Sequence, residues 1–420
     1  MKTLKAIFTD SNLRGRILFI IFVLFITRVL AIIPIPGIDT THLQGFLQKS
    51  SFFGFLNIFS GGGLSALSIV MLAVGPYITA SIIMQLTTVL FPRLKEMYQE
   101  EGENGRRRFV QYGRLLTLPL AVLQGYALLS LLAKQNAIDT LSSGGMAVNL
   151  LIVTAGTMLM MWLGELINEK GIGNGVSLII FAGIVASLPT HIGQYFLTFD
   201  VSQIPMVVGV ALLSLVVVAG IVFITEAERP VAVTYAKQSR MGASSSFSNS
   251  TYIPLRLNQA GVIPIIFAIS ILLFPQMIAQ LLSTSSVAIL ASVATTVIKI
   301  LSNKWFYDIA YFLLVAIFTY FYTAIMFDPQ KTAENLQKSG AFVPGYRPGA
   351  TTAEYIGGVL SRITFFGAVF LGTVAVLPFI VQAFTGVSSL QVGGTSLLIA
   401  IAVILDVIKK IDAQLSMKEY

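Results

Sequence analysis

The sequence predicts an all-α integral membrane protein with ten transmembrane helices, and three observations predict it. Ten apolar stretches divide the 420 residues, most of them close to the roughly 20 residues that cross a hydrocarbon core of about 30 Å. Hydrophobic residues make up 55% of the chain, charged residues 11%, and the mean hydropathy is +0.82, which leaves too little polar surface for a soluble domain of this size. The stretches are long and continuous. A membrane β-barrel shows short alternating segments instead, so helices that satisfy their own backbone hydrogen bonds are expected.

In order, the expected spans are residues 17–33, 69–91, 115–132, 148–167, 176–188, 206–225, 260–282, 306–327, 363–384 and 394–411. The first follows Lys2, Lys5, Arg14 and Arg16 and so resembles a secretory signal. No small-residue cleavage site follows, and Pro34-Ile-Pro36-Gly37 leads on to further spans, so it is expected to be retained. The second is preceded by Phe52–Ser60, too short to cross, and by Gly61-Gly62-Gly63, whose free torsions would hinge that piece. On pattern alone the piece is either a re-entrant plug or an external loop. Pro119 falls in span three and Pro378 in span nine. Span five follows Gly171-Ile-Gly173-Asn-Gly175, and span ten starts at Gly393-Gly394. Residues 286–301 form an amphipathic segment expected to lie on the outer membrane surface.

With an even number of spans both termini share a side. Twenty-two Lys and Arg residues fall on that side and four on the other, so the termini and the large loops 226–258 and 328–361 are expected in the cytoplasm. The net charge of +8 is thereby explained without nucleic acid, and the basic surface suits anionic lipid or an acidic partner. The Arg106–Arg108 run reads as topology signal, offset by Glu100, Glu101 and Glu103 in a solvated loop. Arg28 and Asp308 lie in or beside spans, where charge is costly. Arg28 is expected to pair inside the bundle in a structural role. No cysteine is present and only His42 and His191 carry imidazoles. Disulfides, thiol chemistry and a histidine metal site are therefore not expected, and neither is any catalytic residue, metal or cofactor.

Spans one to five align with six to ten at an offset of five, giving halves 1–190 and 191–420. Spans two and seven then share a proline interruption, at Gly75-Pro76 and Gly261–Pro264, and spans five and ten share shortness and preceding glycines. Matched defects of this kind mark a central pathway between inverted repeats, although proline and glycine are also simply common in membrane helices. Val74, Ile78 and Ile82 recur every fourth residue, as do Val176 and Ile180, so each set shares a helix face. Such aliphatics are ordinary packing residues or, on these particular helices, a constriction that blocks ions by dewetting.

The runs Phe59–Ser65, Gly75–Gln85 and Glu101–Arg107, then Met161–Glu165, Gly171–Gly175, Asn258–Pro264, Ala333–Gly349 and Gly393–Ile399 resemble the SecY family of protein-conducting channels over nearly the whole chain. The resemblance implies two pseudo-symmetric inverted halves of five helices around an hourglass pore. It implies a pore ring of Val74, Ile78, Val176, Ile180, Ile266 and Ile399, and a plug over about 52–68 that includes Phe59, Ser60, Gly61, Gly62, Gly63 and Leu64. It further implies a lateral gate of spans two and seven, with Thr79 facing Phe274, Ile82 on the same helix, and a polar cluster of Gln85, Gln124 and Asn258. Arg347, between Pro344 and Pro348, is implied in motor coupling, its direction limited by the flanking prolines.

Where relatives carry paired arginines at the loop tip between spans six and seven, residues 241–250 are Ser-rich and leave Arg240 alone, so motor or ribosome docking there is weakened. A long basic tail is not expected after Lys418. The implied partners are SecE-like and SecG-like small membrane subunits, a SecA motor, the ribosome, signal sequences, unfolded or nascent polypeptides and membrane lipid. The implied location is the bacterial cytoplasmic membrane. The chief alternative is an inverted-repeat secondary transporter for a small solute, which needs several charged groups at mid-membrane that these spans lack. An intramembrane enzyme needs a catalytic constellation at depth, and no nucleotide-binding GxxxxGK[ST] loop occurs, so energy must come from a partner or the membrane potential.

Overall fold

The computed structural model describes residues 10–36, 56–57, 60–134, 137–138, 142–197, 204–235, 251–261, 263–283, 287–385 and 388–416. Within them lie α1 (Ser11–Ile32), α2 (Gly75–Leu90), α3 (Pro92–Gln99), α4 (Gly102–Lys134), α5 (Ser143–Lys170), α6 (Gly175–Leu197) and α7 (Ile204–Glu226). Then follow β1 (Glu228–Tyr235), β2 (Thr251–Arg256), α8 (Ile263–Leu282), α9 (Ala288–Leu301), α10 (Lys304–Met326), α11 (Pro329–Lys338), β3 (Ala341–Phe342), α12 (Ala350–Thr385) and α13 (Ser388–Ser416). Each expected span thus has a helix. Among the described residues six helices, or seven if the bent pair α2–α3 is one span, are long and apolar enough to cross a membrane.

Helix starts follow side-chain chemistry. Asp10 accepts from the Asn12 N–H at 3.1 Å ahead of α1, Ser142 from Gly145 at 3.2 Å ahead of α5, and Asp328 from Gln330 at 2.9 Å and Lys331 at 3.2 Å ahead of α11. Each side chain satisfies an N–H that the first helical turn leaves without a partner.

Two expectations about broken spans are corrected by the same rule. Pro76 and Pro264 stand in the first turn of α2 and α8, where a missing N–H costs no helical bond. They begin those helices instead of interrupting them, and residues 69–74, expected as the start of span two, form turns. Span ten is not short either, since α13 runs for 29 residues with Gly393 and Gly394 inside it. Its polar ends fell outside the apolar window read from sequence. The charged stretch expected as a solvated loop is also helical. Glu103 and Arg107 pair at 2.6 Å across one turn of α4, and Arg106 lies 5.8 Å from the centre of the Tyr98 ring.

The chain divides into two compact units. One comprises Met1–Gly209, Ile269–Asp308 and Pro378–Tyr420, and the other Val210–Ala268 and Ile309–Leu377. In the first, α2 packs on α4 and α5, α1 on α5 and α6, and α13 on α6. Close approach depends on glycine. A Cβ at Gly156 of α5 would stand 2.0 Å from the Ile69 carbonyl oxygen, and one at Gly175 would stand 1.9 Å from that of Gly164.

The second unit holds the antiparallel sheet β2-β1-β3, with Val231 paired to Ile253 and Thr234 to Phe342. The segments 226–258 and 328–361, expected as loops, therefore carry the three strands, α11 and the start of α12. Val231, Val233, Leu255, Ala341, Val343, Ile356 and Ile363 form one buried cluster beneath this sheet and the start of α12. α9 exposes Ile289, Leu290, Val293 and Ile300 while burying Ala294, as a helix lying on a lipid surface would.

Candidate functional site

The aliphatic residues of the expected ring are interior ones. Val74 is 0% exposed, Ile78 4%, Ile180 1%, Ile266 4% and Ile399 1%, and Val176 is half-buried. Val74 precedes α2 and accepts the Ile78 N–H at 3.0 Å. Val176 and Ile180 open α6, whose start is set by a tight joint. Asn174 Oδ1 accepts from Val176 at 3.1 Å and Ser177 at 3.3 Å, and Asn168 Oδ1 accepts from Gly175 at 2.7 Å. Val176 leans on α5, its Cγ2 lying 3.5 Å from where a Cβ on Gly164 would be. Ile399 lies on α13, which packs on α6. Ile266 belongs to the other compact unit.

Of the plug residues, Phe59 lies outside the described residues, together with most of 52–58. The rest form a hydrogen-bonded turn. Ser60 Oγ donates to the Asn57 carbonyl at 2.9 Å and accepts the Leu64 N–H at 3.0 Å, while Asn57 Oδ1 accepts the Ser65 N–H at 2.9 Å. Gly61 at φ +63° and Gly62 at φ +84° take left-handed torsions that favour glycine. The three glycines, expected as a free hinge, are thus held in a defined turn because their neighbours supply side-chain caps. Ser68 pairs with Pro34, where Ile35 donates to Leu67 at 2.8 Å and Ile69 to Ile33 at 3.0 Å. Leu64, Leu67 and Val70 are fully buried.

Thr79 of α2 and Phe274 of α8 line one cavity of about 60 Å³, together with Gln124 of α4 and Met277. Gln124 donates to the Thr79 hydroxyl at 3.4 Å, and Thr79 donates to the Gly75 carbonyl at 3.1 Å. Ile82, 2% exposed, follows one turn along α2. The three amides do not share one bond network among the described residues. Gln85 donates to Ser81 of its own helix at 3.3 Å, and Asn258 to the Gly261 carbonyl of its own loop at 3.2 Å. The Gln85 and Asn258 side-chain oxygens are buried without a partner in the described structure.

Arg347 is exposed at the turn between β3 and α12. Its carbonyl accepts the Thr352 hydroxyl at 2.7 Å, Tyr346 stacks on Tyr355 at 4.1 Å, and Gly345 and Gly349 adopt φ of +89° and +99°. The buried cluster beneath the sheet thus supports a fixed backbone that presents the guanidinium to solvent. Arg240 lies outside the described residues.

Two features were not anticipated. Arg114 of α4 and Glu165 of α5 form an inter-helix ion pair at 2.7 Å. Arg28, expected to pair within the bundle, donates to the Gly61 carbonyl of the turn. The isolated charge in the first span was the one signal that pointed to it, and a backbone acceptor leaves no trace in sequence. Asp308, the other charge singled out, has one buried carboxylate oxygen without a partner among the described residues.

A sequence model of the SecY family matches residues 68–408. The protein translocase subunit SecY of Corynebacterium glutamicum is 39% identical over 446 residues, which cover 100% of this chain and 99% of that relative. Among solved structures, one described as the structure of a protein conducting channel matches with a TM-score of 0.65 at 16% identity, covering 94% of this chain and 91% of that one. Sec61 in the canine ribosome-channel complex from the endoplasmic reticulum matches with a TM-score of 0.62 at 16% identity and the same coverage.

Proposed function

The chain belongs to the SecY family, and from that premise we propose how its residues conduct a polypeptide. It is a multi-pass membrane protein and the channel subunit of a protein translocase. The end-to-end match to translocase subunits carries this reading, and a solute carrier has no such support.

In the proposed arrangement, halves 1–190 and 191–420 surround an hourglass pore. Val74, Ile78, Val176, Ile180, Ile266 and Ile399 form its waist, and the turn at 60–68 plugs it from outside. Apolar side chains resist wetting, so ions are held back when no chain is present. They form no tight bonds, and a polypeptide of any sequence slides past. No covalent step is involved.

The seam between α2 and α8 is the lateral gate. Its support is the cavity shared by Thr79 and Phe274 and the single long bond from Gln124. An inter-helix bond of this kind is worth about 1 kcal/mol, enough to bias the closed state and weak enough for an arriving signal sequence to overcome. A hydrophobic segment that binds the open seam better than the closed one shifts the population toward opening.

Because the chain has no cysteine of its own, Thr79→Cys with Phe274→Cys provides a unique thiol pair. Joining the two with a short thiol crosslinker is expected to lower export by reconstituted translocase at least tenfold, with recovery on cleavage of the linker. Undiminished export across the locked seam would remove the lateral gate from the account.

We place the termini in the cytoplasm of a bacterial cell, on the Lys and Arg asymmetry. The exposed Arg347 and the sheet beside it then face the cytoplasm, where a SecA motor and the ribosome deliver chains. The similar Sec61 structure, solved within a ribosome-channel complex, supports the ribosome as a partner. SecE-like and SecG-like subunits complete the proposed complex, and apolar residues such as Phe25 and Leu215, 65% and 66% exposed, suit lipid.

A further inference from the structure

A cation in a membrane-crossing helix is costly unless something compensates it, so its partner is informative. Arg28 lies in α1 just ahead of the final turn, and it has no carboxylate partner among the described residues. What it has is the carbonyl of Gly61, the first glycine of the turn that precedes α2. That carbonyl is held in place from several sides. The left-handed torsion of Gly61 sets its direction, and the neighbouring Gly62 N–H is bound to the Asn57 carbonyl at 2.7 Å. A Cβ on Gly61 would come within 2.9 Å of Gly183 Cα on α6 and 3.1 Å of Arg28 Nη1. The turn is therefore held at one residue, which meets both the guanidinium of α1 and the bare backbone of α6. Gly183 follows Ile180 by three residues, so the clamp sits one helical turn from a residue of the proposed waist.

We propose that Arg28 is the positioning residue that seats the plug, holding the turn by the Gly61 carbonyl while Gly61 packs against Gly183, and releasing it when the channel opens. The inference rests on the channel reading above and adds to it the contact that keeps the outer stopper home. The choice of acceptor explains how the hold is both specific and reversible. A carboxylate would make an ion pair whose separation leaves two poorly solvated charges. A carbonyl leaves a single permanent charge, which water entering the outer funnel can solvate as the turn swings away. Arginine suits this better than lysine, because its planar fork keeps donors aimed along the turn while others stay hydrated.

The test uses the assembled translocase in membranes, with Ser65→Cys as the only thiol of the chain. Ser65 is partly buried in the turn and donates to the Gly62 carbonyl at 2.7 Å, so its labelling by a maleimide reports turn release. In the resting channel, Arg28→Gln is expected to speed labelling about tenfold, the scale of a lost charged hydrogen bond. Gly61→Ala, which obstructs the same clamp, is expected to do likewise, and the combined variant should be no faster than the faster single one. Arg28→Lys, which keeps the charge but loses the fork, should fall between. Co-purification with the small subunits at wild-type yield shows that each variant has folded. Labelling in Arg28→Gln at the wild-type rate overturns the proposal, and so do fully additive effects of the two substitutions. Deleting residues 60–66 gives the separate check: if resting ion conductance does not change, the plug reading itself fails and the seat has nothing to hold.

Discussion

Replacing Ile78 and Ile180 together by glycine is expected to raise the resting ion conductance of the reconstituted channel at least tenfold. Both side chains are interior, at 4% and 1% exposure, and they come from α2, which starts at Gly75-Pro76, and α6, whose start is capped by the Asn168 and Asn174 side chains. A constriction that excludes ions by dewetting fails when it widens by the size of a side chain, because a continuous water column then becomes stable. Ordinary core packing predicts another outcome. Truncating a well-packed isoleucine costs about 2–5 kcal/mol, and glycine in a helix adds about 1 kcal/mol, so the complex would melt earlier and assemble poorly without a leak. Single-channel recording in planar bilayers, with thermal unfolding of the purified complex beside it, separates the two. Unchanged conductance in a stably assembled double variant would contradict the waist.

The second large effect is expected from Arg347→Glu. The guanidinium is exposed on a turn fixed by Thr352, the Tyr346–Tyr355 stack and two left-handed glycines. Reversing it should cost the fold no more than about 0.5 kcal/mol, as for surface positions generally. A docking partner with complementary charge would instead meet repulsion. Motor-driven export is therefore expected to fall at least tenfold, with assembly and resting conductance unchanged. The check is ATP-dependent protection of a secretory precursor inside vesicles. Export at the wild-type rate would remove Arg347 from motor docking.

The membrane-crossing architecture was legible because apolar length is a strong, local signal, and α1, α4, α5, α8 and α12 all answer to it. Helix ends were less so. The charged start of α4 reads as loop, yet it is helical, with Glu103 and Arg107 paired one turn apart and Gly105 packed against the Met97 carbonyl of α3. Pro76 and Pro264 read as breaks because the apolar runs begin ahead of them, at 69 and 260, which placed both prolines inside the expected helices.

The sheet was missed for two reasons. Pro230 and Pro254 face each other across β1 and β2, and proline argues against a strand. The pairing also joins distant segments, which local periodicity does not detect. The alternation that buries Val231 and Val233 while exposing Pro230, Ala232 and Thr234 was the available clue. At the site, aliphatic spacing on α2 and α6 singled out Val74, Ile78, Val176 and Ile180, whereas Ile266, Ile399 and the polar residues rested on family resemblance alone. The charge of Arg28 called for a partner, but neither spacing nor resemblance named Gly61 as that partner.

The most direct test of the waist places a photoreactive amino acid singly at Ile78, Ile180, Ile266 and Ile399, and at Phe25 and Leu215 as lipid-facing controls, in translocase halted with a precursor midway across. Adducts to the precursor are expected from all four interior positions and none from the two controls. Adducts absent from the interior positions, or equally strong from the controls, would rule out the waist.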